Sequence, residues 1–146
     1  MAQPAQLFAL PLAAWERDGL KAALTGARLP ADDIAQDGPL FWRFECDDVP
    51  VGFAGIEVHG RDALLRSLVT LPPVRLRGLG AAMVARMEVE ARARGADAIY
   101  LLTEDGAPFF AKLGYAPCAR ERVPAAIAAT APFARLLSAT VMMKQV

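Results

Sequence analysis

Apolar residues along the 146-residue chain change period several times, and the changes divide it into helix-like and strand-like stretches. Leu7–Leu10 is a short apolar run with the character of an edge strand. Leu12, Trp15, Leu20 and Leu24 recur at helical spacing and predict a helix over Leu12–Leu24, with these side chains turned to the core and Gly26 as its terminator. Pro30–Ala35 reads as a second short helix, since Asp32 and Asp33 suit a first turn. Phe41–Cys46 and Val51–His59 read as two strands of a hairpin, with Asp47, Asp48 and Pro50 supplying the turn. After a turn at Gly60-Arg61-Asp62, the nearly unbroken apolar content of Ala63–Leu71 predicts a strand buried on both faces at the centre of a sheet.

The second half is as regular. Past Pro72-Pro73, a helix is predicted over Leu79–Arg94, with Leu79, Met83, Met87 and Ala91 as its apolar stripe. Arg86, Glu88, Glu90, Arg92 and Arg94 cover its solvated face, and Gly95 ends it. Ala98–Thr103 is a further buried strand. A short helix over Ala107–Leu113 closes at Gly114. A strand at Tyr115–Arg120, a helical stretch at Pro124–Thr130 and a last strand at Ala139–Lys144 complete the chain, with Met142 and Met143 in the core. The order is a β-meander, then β-α-β, then α and β, which predicts a mixed α/β fold; the length fits a single domain over residues 1–146.

Composition narrows the function classes. Sixteen basic and sixteen acidic residues leave a formal net charge of zero, without the basic excess usual in nucleic-acid binders, so no nucleic-acid partner is expected. Two cysteines, Cys46 and Cys118, are too few for a disulfide framework and read as small buried hydrophobes. With one histidine, His59, no His-rich metal site is expected. Met1–Leu10 lacks a basic n-region, and no uncharged apolar run reaches the roughly 18–20 residues of a membrane helix. The expectation is a cytoplasmic protein with neither a metal nor a membrane partner.

The chemistry concentrates in Arg75-Leu76-Arg77-Gly78-Leu79-Gly80, between a buried strand and an amphipathic helix. Glycines there let the backbone approach a ligand. A helix N-terminus offers unpaired N–H groups and positive dipole density, and Arg75 and Arg77 add charge, so the segment reads as a site for an anion such as a diphosphate. A P-loop is absent. A dinucleotide fingerprint would place Met83 where glycine or alanine is needed, and three strands already precede the segment.

The stretch Ser67-Leu68-Val69-x-x-Pro72-x-x-Arg75-x-x-Gly78-x-Gly80 resembles the coenzyme-binding motif of the GNAT acetyltransferase superfamily. Phe109-Phe110-Ala111-Lys112-Leu113-Gly114-Tyr115 is similar to that superfamily's F-Y-x-K-x-G-F segment. Arg120-x-x-Val123-Pro124-x-x-Ile127-x-x-Thr130-x-x-Phe133 further resembles a subgroup associated with arsenic-resistance operons. The Leu-Cys-Pro-x-Ser-Ala segment of many of its members is reduced here to Leu136-Leu137-Ser138-Ala139, so a thiol-based arsenic chemistry has no support. The superfamily resemblance implies the acyl-CoA N-acyltransferase fold: a mostly antiparallel central sheet, flanked by helices, in which a parallel pair (Ala63–Thr70 and Ala98–Thr103) splays apart.

It also implies acetyl-CoA as cosubstrate. Backbone groups at Leu68 and Val69 would hold the pantetheine arm and thioester carbonyl. The N–H groups of Leu76, Arg77, Gly78, Leu79, Gly80 and Ala81 would hold the pyrophosphate beside Arg75, and Phe110 would pack on the coenzyme. The implied activity is transfer of the acetyl group to a primary amine of a small molecule, such as an amino acid or a toxic analogue, by a monomer or homodimer. The alternatives are a non-catalytic acyl-CoA-binding regulatory module and, ranked last, a protein acetyltransferase.

The catalytic side chains depart from the superfamily pattern. Phe110 stands where a tyrosine usually protonates the departing thiolate, leaving Tyr100 and Tyr115 as substitutes. Leu64 stands where several relatives carry a glutamate base. Glu57 is the foremost replacement, with His59 and Glu104 behind it. Arg66, on a buried strand, needs a partner, and Trp42 reads as core or as the lining of an acceptor pocket.

Overall fold

A computed structural model describes residues 7–27, 38–71 and 78–146. The strands are β1 (Leu7–Pro11), β2 (Leu40–Cys46), β3 (Val49–His59), β4 (Asp62–Thr70), β5 (Ala98–Thr103), β6 (Ala116–Pro117) and β7 (Thr140–Gln145). The helices are α1 (Arg17–Gly26), α2 (Leu79–Ala93), α3 (Ala107–Lys112), α4 (Ala125–Ala128) and α5 (Ala131–Arg135), with 3-10 turns at Ala14–Glu16 and Arg120–Arg122. The seven strands form one mixed sheet in the order β1-β2-β3-β4-β5-β7-β6, mostly antiparallel and flanked by helices. β4 and β5 are its parallel pair, with Asp62 opposite Ala98, Ala63 opposite Ile99 and Leu64 opposite Tyr100. A parallel pair needs a crossover, and α2 lies in that connection. None of the described helices is long and apolar enough to cross a membrane.

The described residues divide into two compact units, one running up to Gly55 and including Ser67–Met87, the other formed by Ile56–Arg66 and Glu88–Val146. In the first, Leu20 and Leu24 of α1 pack with Phe41, Phe53 and Val69. Trp15, expected in the core beside them, is 82% exposed. The reason is the helix start: Ala14–Glu16 forms a 3-10 turn and α1 begins only at Arg17. Trp15 therefore precedes α1, and even a continuous helix would turn it more than about 90° away from Leu20 and Leu24.

The β2–β3 turn is tighter than expected. Asp47 and Asp48 both have positive φ (50° and 63°), the signature of a two-residue hairpin turn that Asp tolerates, and Pro50 lies within β3. Two glycines in β3 allow close approach. A Cβ on Gly52 would stand 2.5 Å from the Val69 carbonyl oxygen and 2.8 Å from Met83 Cε, and one on Gly55 would stand 2.5 Å from Phe41 Cδ1. Gly52 thus lets β3 lie against β4 while α2 rests Met83 on the same spot.

In the second unit, Leu64, Tyr100, Val123, Ile127, Phe133 and Val141 form one apolar cluster. The strand expected over Tyr115–Arg120 shrinks to Ala116–Pro117, paired with Met143 and Met142. Pro117 has no N–H to give, and Arg120 is drawn away to the carbonyls of Leu136 and Ala139. The helical stretch expected over Pro124–Thr130 ends at Ala128. Thr130 adopts an extended conformation, its hydroxyl donates to the Ile127 carbonyl at 2.7 Å, and α5 starts just beyond. The short helix expected at Pro30–Ala35 lies outside the described residues.

Gly52→Ala should lower stability by about 1–3 kcal/mol, because backbone and a packed helix must both move. Gly26→Ala, with nothing within 4 Å of the added Cβ, should leave stability equal or higher, since alanine is the better helix former. Thermal melting of the two variants checks the contrast.

Candidate active site

The expected coenzyme segment begins in β4. Leu68 is half-buried and Val69 buried, and Ser67 just before them has φ +58°. A left-handed residue inside a strand is the geometry of a bulge, which re-aims the backbone that follows. No glycine marks it, so nothing in the sequence signals it. Arg75, Leu76 and Arg77 lie outside the described residues.

Gly78 has φ +83°, and a Cβ there would meet no described atom within 4 Å. The first hydrogen bond of α2 runs from Ala82 N–H to the Gly78 carbonyl at 3.0 Å. The N–H groups of Leu79, Gly80 and Ala81 lie ahead of that bond, in the turn where a helix has no carbonyls of its own to offer. Leu79 turns into the core, whereas Gly80 and Ala81 are half-buried and small. Among the described residues, an anion at this helix end would meet main chain and two minimal side chains, which suits a diphosphate.

A second group of residues gathers in the other unit. Glu57 on β3 lies between Arg66 and His59, with Arg66 Nη1 at 3.7 Å from one carboxylate oxygen and His59 Nε2 at 3.4 Å from the other. Arg66 and Glu57 are 3.7 Å apart, a charge pair rather than a hydrogen bond. Sequence reasoning named all three residues separately; the structure brings them together and gives the buried arginine its carboxylate. Leu64, expected from the resemblance to stand at the place of a glutamate base, is buried in the apolar cluster with Tyr100. Glu104, the remaining base candidate, is exposed beyond the end of β5. Trp42 is buried.

Phe110 is buried and packs edge-to-face on both Phe109 and Tyr115, with ring centroids 5.0 and 5.8 Å apart. Neither tyrosine has the character of an acid. Tyr115 donates its hydroxyl proton to Glu88 Oε2 at 2.9 Å, and Lys144 Nζ reaches the same carboxylate at 3.1 Å. Burial raises the Tyr115 pKa far above its ordinary value, and the charge and hydrogen bond of Glu88 raise it further. Burial also raises Tyr100, helped by Asp62 and Cys118. A phenol that holds its proton more tightly is a weaker donor to a departing thiolate. Glu88 was expected on the solvated face of α2. It stands one residue past the buried Met87, at the edge of the apolar stripe, and that position is the only hint the sequence holds. Among the described residues no group of three or more His, Cys, Asp or Glu is arranged to hold a metal.

The profile of the acetyltransferase (GNAT) family matches residues 6–115. No sequence among curated proteins matches. Among solved structures, the chain is similar to N-acetylglutamate synthase from Neisseria gonorrhoeae complexed with coenzyme A and N-acetyl-glutamate, with TM-score 0.82 and 14% identity. The match covers 99% of this chain but 36% of the synthase, so the chain spans about a third of that relative. It is similar to Rv2747 from Mycobacterium tuberculosis in complex with CoA, with TM-score 0.77 and 18% identity over 95% of this chain and 99% of that one. It is also similar to the PaiA N-acetyltransferase of Thermoplasma acidophilum in complex with coenzyme A, with TM-score 0.67 and 14% identity over 97% and 99% of the two chains. At these identities the likeness is one of fold.

The raised phenol pKa values carry a prediction. The folded state binds the two phenolic protons more tightly than the unfolded chain, so stability should fall as pH rises above the ordinary tyrosine pKa of about 10. Both tyrosines of the chain, Tyr100 and Tyr115, are shifted upward. Native protein at pH 10 should therefore show little phenolate absorbance, and unfolding at that pH should release it. Tyr115→Phe, which removes a hydrogen bond to a charged acceptor, should cost about 1.5–3 kcal/mol at neutral pH and flatten the alkaline loss; a pH series of melting curves reads both.

Proposed function

Because the chain belongs to the acetyltransferase (GNAT) family, we propose that it moves the acetyl group of acetyl-CoA to a primary amine of a small molecule, as a single N-acetyltransferase domain over residues 1–146. Acyl transfer is the chemistry of the family, and coenzyme A is present in solved relatives of the same fold. The observation that carries the reading is the opening of α2: a glycine in left-handed geometry, no described atom within 4 Å of where its Cβ would stand, and N–H groups of Leu79, Gly80 and Ala81 ahead of the first helical bond.

In this reading the main chain from Leu76 to Ala81 binds the pyrophosphate, with Arg75 and Arg77 adding charge. The backbone at Leu68 and Val69, turned by Ser67, receives the pantetheine arm and the thioester carbonyl, where fixed N–H donors stabilise the oxyanion that forms on attack. Phe110 offers the coenzyme an apolar surface and no proton. That omission is tolerable, since a free thiol has a pKa of about 8.5 and leaves as thiolate without help. An amine acceptor does need help, because a lysine-like ammonium has a pKa of about 10.4. Glu57 is assigned that proton.

The likeness to the arsenic-resistance subgroup says little about the acceptor, for which an amino acid or a toxic analogue is proposed. The residues that carry it have structural duties: Val123, Ile127 and Phe133 belong to the apolar cluster, Thr130 ends α4, and Arg120 stacks on Phe133 at 5.5 Å. They account for the form of this region and leave the acceptor to be identified by assay.

Thiol release from acetyl-CoA in the presence of amino acids and other small amines tests the activity; binding without release on any acceptor would favour a regulatory acyl-CoA module. Gly78→Val should weaken acetyl-CoA binding more than about tenfold, a loss above about 1.4 kcal/mol, in calorimetry. The variant should still fold, because a Cβ there meets no described atom within 4 Å and the main cost is the left-handed backbone, about 1–2 kcal/mol. Unchanged affinity would remove the site. Phe110→Tyr should keep or raise kcat.

A further inference from the structure

The pair formed by Arg66 and Glu57 is an expensive way to hold a sheet together. Both charges must leave water, and a well-packed apolar pair of similar size stabilises as well or better. The pair is also the inner part of a longer chain. Glu57 presents one oxygen to Arg66 Nη1 at 3.7 Å and the other to His59 Nε2 at 3.4 Å. Side-chain exposure rises along it from 3% at Arg66 to 12% at Glu57 and 36% at His59. A buried guanidinium thus anchors a carboxylate whose free side faces an imidazole open to water. Imidazole is the side chain best suited to gain and lose a proton near neutral pH.

We infer that Glu57 and His59 act together as a proton relay from the acceptor amine to solvent, with Arg66 as the positioning residue that fixes the carboxylate. The inference rests on the acetyl-transfer reading above and deepens it. The amine nitrogen forms its bond to the thioester carbon with its own lone pair, the C–S bond breaks, and its electron pair leaves on the coenzyme sulfur. The nitrogen's proton passes to Glu57, then to Nε2 of His59 in its Nδ1–H tautomer. The resulting imidazolium gives its Nδ1 proton to water, and exchange with water restores the starting tautomer. Arg66 touches no reacting atom in this scheme; it keeps the carboxylate turned so that one oxygen stays on the imidazole.

His59 is the only histidine of the chain, so its ring nitrogens give one unambiguous set of NMR signals. Glu57→Gln should shift the Nε2 signal; an unchanged signal overturns the contact and the relay with it. In thiol-release kinetics, Glu57→Gln and His59→Ala should each lower kcat at least about 10²-fold, the lower range for general acid–base help. The double variant should be no worse than the poorer single one, as for residues that act as a unit. Imidazole in the buffer should restore part of the His59→Ala activity. Arg66→Lys should keep most of kcat and Arg66→Met should resemble Glu57→Gln; if the methionine variant does not fold, Arg66→Ala, expected to resemble Glu57→Gln as well, takes its place. Acetyl-CoA affinity by calorimetry should be unaltered throughout. Multiplicative losses, or full kcat in His59→Ala, overturn the relay while leaving the coenzyme reading intact. A wild-type chain that fails to bind acetyl-CoA overturns the coenzyme reading itself, and one that binds it and releases no thiol overturns the activity and the relay together.

Discussion

β4 has to satisfy two demands that an ordinary strand cannot meet together. Its first residues pair in parallel with β5 at Asp62, Ala63 and Leu64, and its last must offer main-chain groups to something other than a neighbouring strand if the family's chemistry is to occur. Ser67 stands at the change. A non-glycine residue held at φ +58° carries a strain of about 1–3 kcal/mol, tolerated only where the surroundings over-determine it. The surroundings do so: Leu64 ahead of it is locked in an apolar cluster, and Val69 behind it packs with Phe41 and Phe53. Gly52 completes the arrangement by letting β3 approach the Val69 carbonyl directly. The same serine is where the chain passes from one compact unit to the other.

Charge is handled differently on the two flanks of the second unit. Glu88, Tyr115 and Lys144 form a closed set in which the carboxylate accepts from both partners within hydrogen-bond distance. Such a set ties α2, the chain after α3 and β7 together and holds the phenol proton in place. Glu57, Arg66 and His59 form a looser set, with longer separations and an end exposed to water. Tight satisfaction rigidifies, and looser satisfaction leaves a carboxylate free to exchange partners. The proposed proton transfer is placed on the second set because its outer end, His59, is open to water.

The regular elements were legible because they rest on periodicity. The stripe Leu79, Met83, Met87 and Ala91 is buried as its spacing required, and Gly95 closes the turn after α2 in left-handed geometry. Gly78 was legible as the opening of an amphipathic helix, and it stands ahead of α2 in left-handed geometry. The failures are failures of phase and of tertiary pull. Trp15 lies ahead of α1, and its spacing of five and nine residues from Leu20 and Leu24 already points it to the other side of a helix. The strand after Tyr115 was overdrawn because Arg120 is drawn toward Leu136 and Ala139, sixteen and nineteen positions away. Ser67 gave no sign because serine has no conformational signature of its own.

Recognition by main chain and recognition by side chain leave different traces in a sequence. A diphosphate held by N–H groups asks only for a helix start and for residues small enough not to intrude, so Gly78, Gly80 and Ala81 suffice. That demand is met by many sequences, which is why relatives with few identical residues can share one coenzyme and one fold. An acceptor amine is recognised by shape and by placed polar groups, and a missing glutamate at Leu64 can be answered from a neighbouring strand by Glu57. A motif that searches for the residue in its old position finds Leu64 buried among apolar side chains, while the carboxylate sits on β3 with its arginine beside it.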